Sequence, residues 1–410
     1  MASTRPPFAI IGAAGAALSA IFAAISTHDY AQHLDRQLHA VHCSFIPGMM
    51  GDDSGKNACS AAMYSPYSAV LRSSYWGGIP LALLGLGTFA FVLVASLYLA
   101  RKRPTQSELY AYAGLSLVPL LSSLVMFFIS MTKLGEFCKL CVGMYLGSAV
   151  IAYAGYLAFT RAREPMEMAA GGSQPPSAVS ATPAWMPALA AAVGLGVFVL
   201  VPAVVYAGSI PDYTSKITGC GKLLEKEERH GALLHMKTTS PTRPAVLFED
   251  PLCPTCKSVH ERLVSEGIYD RLDVTSVMFP LDNECNEMLD RAMHPGACVV
   301  AKAVICGDKA GNSRQILEWS YEHQADLVKA GKQSKDAIRS LVRAKFPDVD
   351  SCIDARETKQ RLDRMLQYAV TNKIPIMTPQ VYLDSTRICD EDTDLGLSYT
   401  IKKLAPEVMP

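Results

Sequence analysis

The chain has 410 residues, half of them hydrophobic, with 38 basic and 38 acidic side chains and a formal net charge of zero. That length allows two or three domains, and the balanced charge gives no reason to expect nucleic acid as a partner. Hydrophobicity is concentrated in residues 8–207, in five blocks of roughly 20 residues, each about the length that crosses a hydrocarbon core.

The first block, Phe8 to Thr27, comes after Arg5 and has small residues near Ala20 to Ala24, so it invites comparison with a signal peptide. Its apolar run exceeds the roughly 7–15 residues of a signal core, which favours a retained helix. The next blocks are Gly77 to Ala100, Leu109 to Met131, Phe137 to Thr160 and Trp185 to Ala207. Arg5, then Arg101, Lys102 and Arg103, then Arg161 and Arg163 fall on one side if all five blocks span. The excess of basic residues makes that side the cytoplasm. Residues 28–76, the turn 132–136 and everything after 208 then lie outside.

Residues 164–184 hold Gly171, Gly172, Ser173, Pro175, Pro176 and Pro183 with little apolar content, which reads as a cytoplasmic linker. The fifth block returns the chain to the outer side and tethers the C-terminal half there, raising its effective concentration to roughly millimolar. That half is of mixed polarity and reads as one soluble domain, 208–410. In it, Ala245 to Glu249 suits a buried strand, and an amphipathic helix runs from Cys253-Pro254-Thr255-Cys256 through about Glu266. Asp273 to Phe279 is a second strand, and Pro375 to Leu383 reads as a loop entering a strand through a Thr378-Pro379 bond that can be cis.

All twelve cysteines fall on or near the outer side of this topology, where an oxidising compartment permits disulfides. Two CxxC pairs stand out, Cys138 with Cys141 and Cys253 with Cys256. At a helix start such a pair suits reversible dithiol chemistry, because the helix end favours the first thiolate and the second thiol is near enough to resolve a mixed disulfide. Neither pair is followed by His, which excludes covalent haem attachment. A zinc site shared between them would join residues far apart in sequence, one pair at a membrane surface, and is disfavoured. A purely structural disulfide is the bland alternative for either pair. No intramembrane Asp, Glu or His accompanies Cys138 and Cys141, which argues against a proton-driven transporter. Lys257 and His260 on the following helix offer charge that can stabilise a thiolate, but such residues are more often ordinary solvated helix residues. Cys220, Cys285, Cys298, Cys306, Cys352 and Cys389 make an even six, read as structural disulfides among the fifteen connectivities that six cysteines allow. The short separation and the His294-Pro295-Gly296 turn favour Cys285 with Cys298.

The order of features in the first 160 residues is specific. Loop cysteines Cys43 and Cys59 come first, then Ser65 six residues after the second, Gly78-Ile79-Pro80 opening the next span, and Cys138-Lys139-Leu140-Cys141 at the start of the fourth. This order resembles the vitamin K epoxide reductase family. The resemblance implies a four-helix bundle around a quinone pocket. It implies that Cys141 faces the quinone and forms the charge-transfer or adduct thiolate, that Cys138 exchanges with Cys59, that Cys43 receives electrons from the soluble domain, and that Ser65 hydrogen-bonds a quinone oxygen. Without the resemblance, Ser65 reads as a loop residue. The fifteen residues between Cys43 and Cys59 are more than the family commonly has, but loop closure costs entropy only slowly with length. Gly143 and Gly147 form a small-xxx-small pattern that serves either a dimer face or packing inside one bundle, the second being favoured.

In the soluble half, the succession of strand, CxxC helix, strand, helical insertion over about 285–371 and Thr-Pro strand resembles the DsbA-type branch of the thioredoxin fold. By that resemblance Cys253 attacks, Cys256 resolves, and Thr378 and Pro379 line the substrate groove.

The expectation is therefore a membrane domain over 1–163, a linker at 164–184, a tethering helix at 185–207 and a DsbA-type thioredoxin-like domain over 208–410. Its activity would be disulfide formation in exported proteins, with electrons passing from Cys253 and Cys256 through Cys43 and Cys59 to Cys138 and Cys141 and on to ubiquinone or menaquinone. No metal and no haem is required. The expected place is a bacterial inner membrane, with a cytoplasmic N-terminus and a periplasmic soluble domain, and with exported proteins bearing free thiols, the quinone pool and lipid as partners. Two rivals are a reductant that runs electrons outward and a non-enzymatic tethered binding module.

Overall fold

The computed structural model describes residues 6–37, 39, 41, 58–134, 138–170 and 183–410. It divides into two units, residues 1–71 with 78–211, and residues 72–77 with 212–410.

The first unit is helical. Helix α1 is Pro7–Gln32, a short α2 is Ala58–Tyr64, and the longer helices are α3 Leu81–Ala100, α4 Gln106–Ile129, α5 Lys139–Ala170 and α6 Met186–Ser209. Five of these are long and apolar enough to cross a membrane. Proline opens α1 at its first position, where the missing N–H costs nothing. Thr105 and Glu108 form a reciprocal capping box that starts α4, with Lys102 paired to Glu108. Helix α5 continues to Ala170, past the end of the fourth apolar block and into the segment expected to be linker.

Close approach between helices depends on small residues. A Cβ at Gly147 would stand 2.0 Å from Ser19 Oγ and 2.8 Å from the Gly15 carbonyl, and Gly143 packs on the Phe22 ring. The small-xxx-small pair thus packs inside the bundle, against α1, as small residues do where lipid supplies no hydrophobic drive. Helix α6 does more than tether: Gly87 on α3 lies against the Phe198 backbone, where a Cβ would meet its carbonyl oxygen at 2.3 Å. A two-stranded ribbon, β1 Ala69–Val70 with β2 Ile79–Pro80, binds the loop after α2 to the start of α3, reinforced by the Leu81 N–H donating to the Ser68 carbonyl at 2.8 Å.

The second unit is built on a five-stranded sheet of order β3-β5-β4-β6-β7, with β3 Leu234–His235, β4 Arg243–Glu249, β5 Leu272–Met278, β6 Gln380–Leu383 and β7 Thr386–Arg387. Strands β4 and β5 run parallel, joined by α7, Pro254–Ser265, while β6 lies antiparallel to β4 on its other side. Between β5 and β6 stand α8 Ala297–Gly307, α9 Ser313–Glu322, α10 Gln324–Gln333, α11 Lys335–Lys345, α12 Asp350–Ile353 and α13 Arg356–Thr371, and α14 Leu397–Leu404 closes the fold. This is a thioredoxin-like sheet with a helical insertion that shares its core: Val300, Ile305, Ile338 and Met365 pack in one cluster with Leu247, Val274 and Val381. The disulfides Cys285–Cys298, Cys306–Cys352 and Cys220–Cys389 staple it, the first being the pair favoured by spacing. Trp76, in the segment 72–77 that belongs to this unit, is buried and donates its indole N–H to Asp392 at 2.7 Å.

Candidate functional site

Each unit carries one dithiol. In the first, the chain enters α5 through Cys138, whose carbonyl accepts from the Val142 N–H at 3.0 Å and so forms the first turn. That places Cys138 and Cys141 one turn apart, both as free thiols and with their side chains hydrogen-bonded to each other. Cys59, on α2, is itself in a disulfide, and its sulfur lies 3.1 Å from Cys138 Sγ. Phe22, Cys59, Cys138 and Leu140 form one buried cluster.

This cluster is part of the wall of a cavity of about 610 Å³ between α1, α2, α3, α4 and α5, within the roughly 300–1,000 Å³ usual for small-molecule sites. Its lining is mostly apolar, including Leu84, Phe89, Pro119 and Met144, with hydroxyls from Ser65, Thr88, Ser122 and Tyr145 and the thiol of Cys141. A cavity of this size and lining suits a small, largely apolar molecule. Ser65 is buried, and its hydroxyl donates to the Ala62 carbonyl at 2.7 Å. Cys59, Ser65, Cys138 and Cys141 thus meet on one cavity, while Cys43 lies outside the described residues.

Asp29 is not among the residues that the sequence singles out, and it overturns the expectation that no intramembrane carboxylate accompanies Cys138 and Cys141. Helix α1 runs past the apolar block to Gln32, and Asp29, 2% exposed, lines the same cavity. The signal was an acidic residue with His33 one turn later, directly after an apolar helix.

In the second unit, β4 delivers the chain to Cys253, the N-cap of α7, with Pro254 at the first helical position. Cys253 Sγ lies 3.4 Å from the carbonyl oxygen of Thr378, and the Thr378–Pro379 bond is cis. The side-chain hydrogen bond from Cys256 lowers the Cys253 pKa to about 6 against the opposing effect of burial, whereas burial holds the Cys256 thiol well above its usual range. The pair is therefore differentiated into a nucleophile and a resolving thiol. Gln324 donates to the carbonyls of Pro251 and Cys253, at 3.2 and 3.1 Å, and fixes the turn before the helix.

The surroundings correct one expectation. His260 is 6% exposed, packed against the rings of Tyr269 and Tyr321 at 4.7 and 5.2 Å, because α7 turns that face inward under the helical insertion. Lys257 is partly exposed and pairs with Glu261 at 3.7 Å. Two buried carboxylates at the end of β4 also escape a reading by sequence. Glu249 bonds Ser276 and accepts from the Tyr321 hydroxyl at 3.0 Å, and burial raises its pKa. Asp250 accepts from the Leu252 and Leu281 N–H groups at 2.7 and 2.8 Å and meets His294 at 2.7 Å. An acidic pair ending an otherwise apolar strand was their signal.

Membrane-spanning helices carrying one dithiol at a cavity, together with a thioredoxin-like domain carrying another, define the class as a membrane thiol–disulfide oxidoreductase. Residues 7–156 match the model of the vitamin K epoxide reductase family, so the chain contains a domain of that family fused to a thioredoxin-like domain. Proteins of that family use quinones. A comparison with curated proteins finds no match. The crystal structure of an oxidised mutant of DsbA1 is similar at 15% identity over 46% of this chain and 95% of that chain, with a TM-score of 0.30.

Proposed function

We propose that this protein generates disulfides in exported proteins and passes the electrons to a quinone. The observation that carries the proposal is the approach of the Cys138 thiol to Cys59, a disulfide sulfur, at 3.1 Å on the wall of an apolar cavity that Cys141 also lines. Thiol–disulfide exchange is attack of a thiolate on a disulfide sulfur, and that pair of sulfurs stands within reach of it.

In the proposed relay a substrate dithiol reduces the Cys253–Cys256 disulfide, with Cys253 forming the mixed disulfide and Cys256 resolving it. The electron pair then moves to Cys43 and Cys59 and, by exchange with Cys59, to Cys138 and Cys141. Cys141 delivers it at the cavity. A quinone supplies the acceptor there, taking two electrons and two protons, so that one dithiol and one quinone become one disulfide and one hydroquinone. Ser65 orients the ring by turning its hydroxyl from the Ala62 carbonyl to a quinone oxygen. Thr378 and Pro379 line the groove for the substrate chain, beside Ile376 and Met377, which are exposed at 46% and 44% and suit an unfolded polypeptide. The relay needs neither metal nor haem, and ubiquinone or menaquinone serves as acceptor. The proposed layout keeps the membrane domain at 1–163, the linker at 164–184 and the tethering helix at 185–207. The N-terminus is then cytoplasmic and the thioredoxin-like domain periplasmic at a bacterial inner membrane.

The test is quinone reduction by purified protein in detergent supplied with a reduced thiol peptide, comparing wild type with Cys141→Ala and Cys253→Ala. Reduction by wild type and failure of both variants supports the relay. A wild type that leaves quinone untouched while Cys253 still exchanges with peptide overturns it.

A further inference from the structure

Thiols release two protons on oxidation and a hydroquinone carries two, so a cavity that moves the electron pair must also move protons. Among the described residues that line it, Asp29 is the one carboxylate, and Tyr30, Cys138, Cys141 and Tyr145 are the other titratable groups besides disulfide-bonded Cys59. Burying a carboxyl at an apolar wall inside a membrane domain is expensive, and such residues mark function more often than packing. Asp29 and Cys138 line the same cavity.

Further titratable groups stand near Asp29. The His33 ring, 1% exposed, sits one turn further along α1, with Nδ1 donating to the Asp29 carbonyl at 2.8 Å and Nε2 meeting the Tyr64 hydroxyl at 3.1 Å. The His33 and His39 rings lie edge to face at 5.4 Å, and His39 pairs at 2.8 Å with the exposed carboxylate of Asp35. His33, Tyr64, His39 and Asp35 thus gather beyond Asp29, with His33 held on its backbone carbonyl.

We propose that Asp29 is the acid–base group of the quinone cavity. The inference rests on the quinone-reducing reading above. As Cys138 and Cys141 close their S–S bond, two electrons leave for the quinone and the two thiol protons become the two hydroquinone O–H protons. Asp29 carries the one from Cys138, accepting it as carboxylate and releasing it to a quinone oxygen as the acid.

The experiment compares full-length wild type, Asp29→Asn and Asp29→Glu in detergent. It measures quinone reduction across the neutral pH range and, separately, Cys138 exchange with Cys59 by acid trapping without quinone. The expected result is that Asp29→Asn lowers quinone reduction on the order of 100-fold and loses one limb of the pH profile, with exchange intact, and that Asp29→Glu restores most of the rate. The proposal is overturned if Asp29→Asn reduces quinone at the wild-type rate and with the wild-type profile. It is equally overturned if both variants lose exchange as well, which assigns Asp29 a structural role. A wild type that exchanges thiols without reducing quinone brings down the underlying reading itself.

Discussion

Cys138 Sγ stands 3.1 Å from Cys59 Sγ, nearer than two sulfurs in simple van der Waals contact, and Cys141 is the next thiol, one turn along α5. In the proposed direction reduced Cys59 attacks Cys138 of the Cys138–Cys141 disulfide and Cys141 leaves as the thiolate. The exchange is reversible, so without Cys141 the Cys138 thiol still joins oxidised Cys59 but no second thiol on α5 releases the link. Cys141→Ala should therefore accumulate a covalent Cys59–Cys138 link, identifiable by mass spectrometry of non-reduced peptides, whereas Cys138→Ala should accumulate none. Recovery of an unlinked Cys141→Ala protein under oxidising conditions would contradict exchange between Cys59 and Cys138.

The alkylation rate of Cys253 should follow a titration with its midpoint at about 6, well below the ~8.5 of a free thiol. The shift has a sign for stability too. A folded pKa below the unfolded one stabilises the reduced fold above the unfolded value, and that contribution is lost as pH falls through the folded value. Replacing Cys256 by Ala removes the hydrogen bond that is the main cause of the shift and should move the alkylation midpoint upward.

Glu249 works in the opposite direction. Burial raises its pKa, so its contribution to stability is present below the unfolded carboxyl value and declines as pH rises through the folded one. Glu249→Gln keeps the shape and removes the charge, and should raise the melting temperature of the second unit relative to wild type most strongly at alkaline pH. Glu249→Ala leaves Ser276 and the Tyr321 hydroxyl without their partner and should cost about 1–3 kcal/mol in denaturant unfolding.

Gly147 leaves no room for a side chain, since a Cβ there meets Ser19 Oγ at 2.0 Å and the Gly15 carbonyl at 2.8 Å. Gly147→Val should force α1 from α5 and lower the thermal stability of the detergent-solubilised protein by roughly 1–3 kcal/mol. Ser19→Ala combined with Gly147→Ala should recover part of the loss.

The Cys306–Cys352 disulfide ties α8 to α12 across 46 residues. Replacing both with Ser should lower stability of the oxidised protein by roughly 2–4 kcal/mol without changing the alkylation midpoint of Cys253, because these sulfurs bridge the insertion and not the redox helix.

The features legible in the sequence alone were local or periodic. Apolar blocks of spanning length announce helices wherever backbone groups must bond within their own segment. A cysteine before Pro254 or Lys139 announces a dithiol at a helix start, and the 13-residue separation of Cys285 and Cys298 favoured their pairing. Tertiary structure alone decided which side chains meet across long stretches of chain. It brought Cys59 to Cys138 and the Thr378 carbonyl to Cys253, paired Cys220 with Cys389, and turned His260 inward under the helical insertion. It also carried α1 beyond its apolar block, so that Asp29, polar in sequence and just outside the hydrophobic run, became part of a cavity wall. The physical reason is that helix length and thiol spacing are set by neighbours along the chain, whereas burial and the partner of a polar group are set by the elements that pack against them.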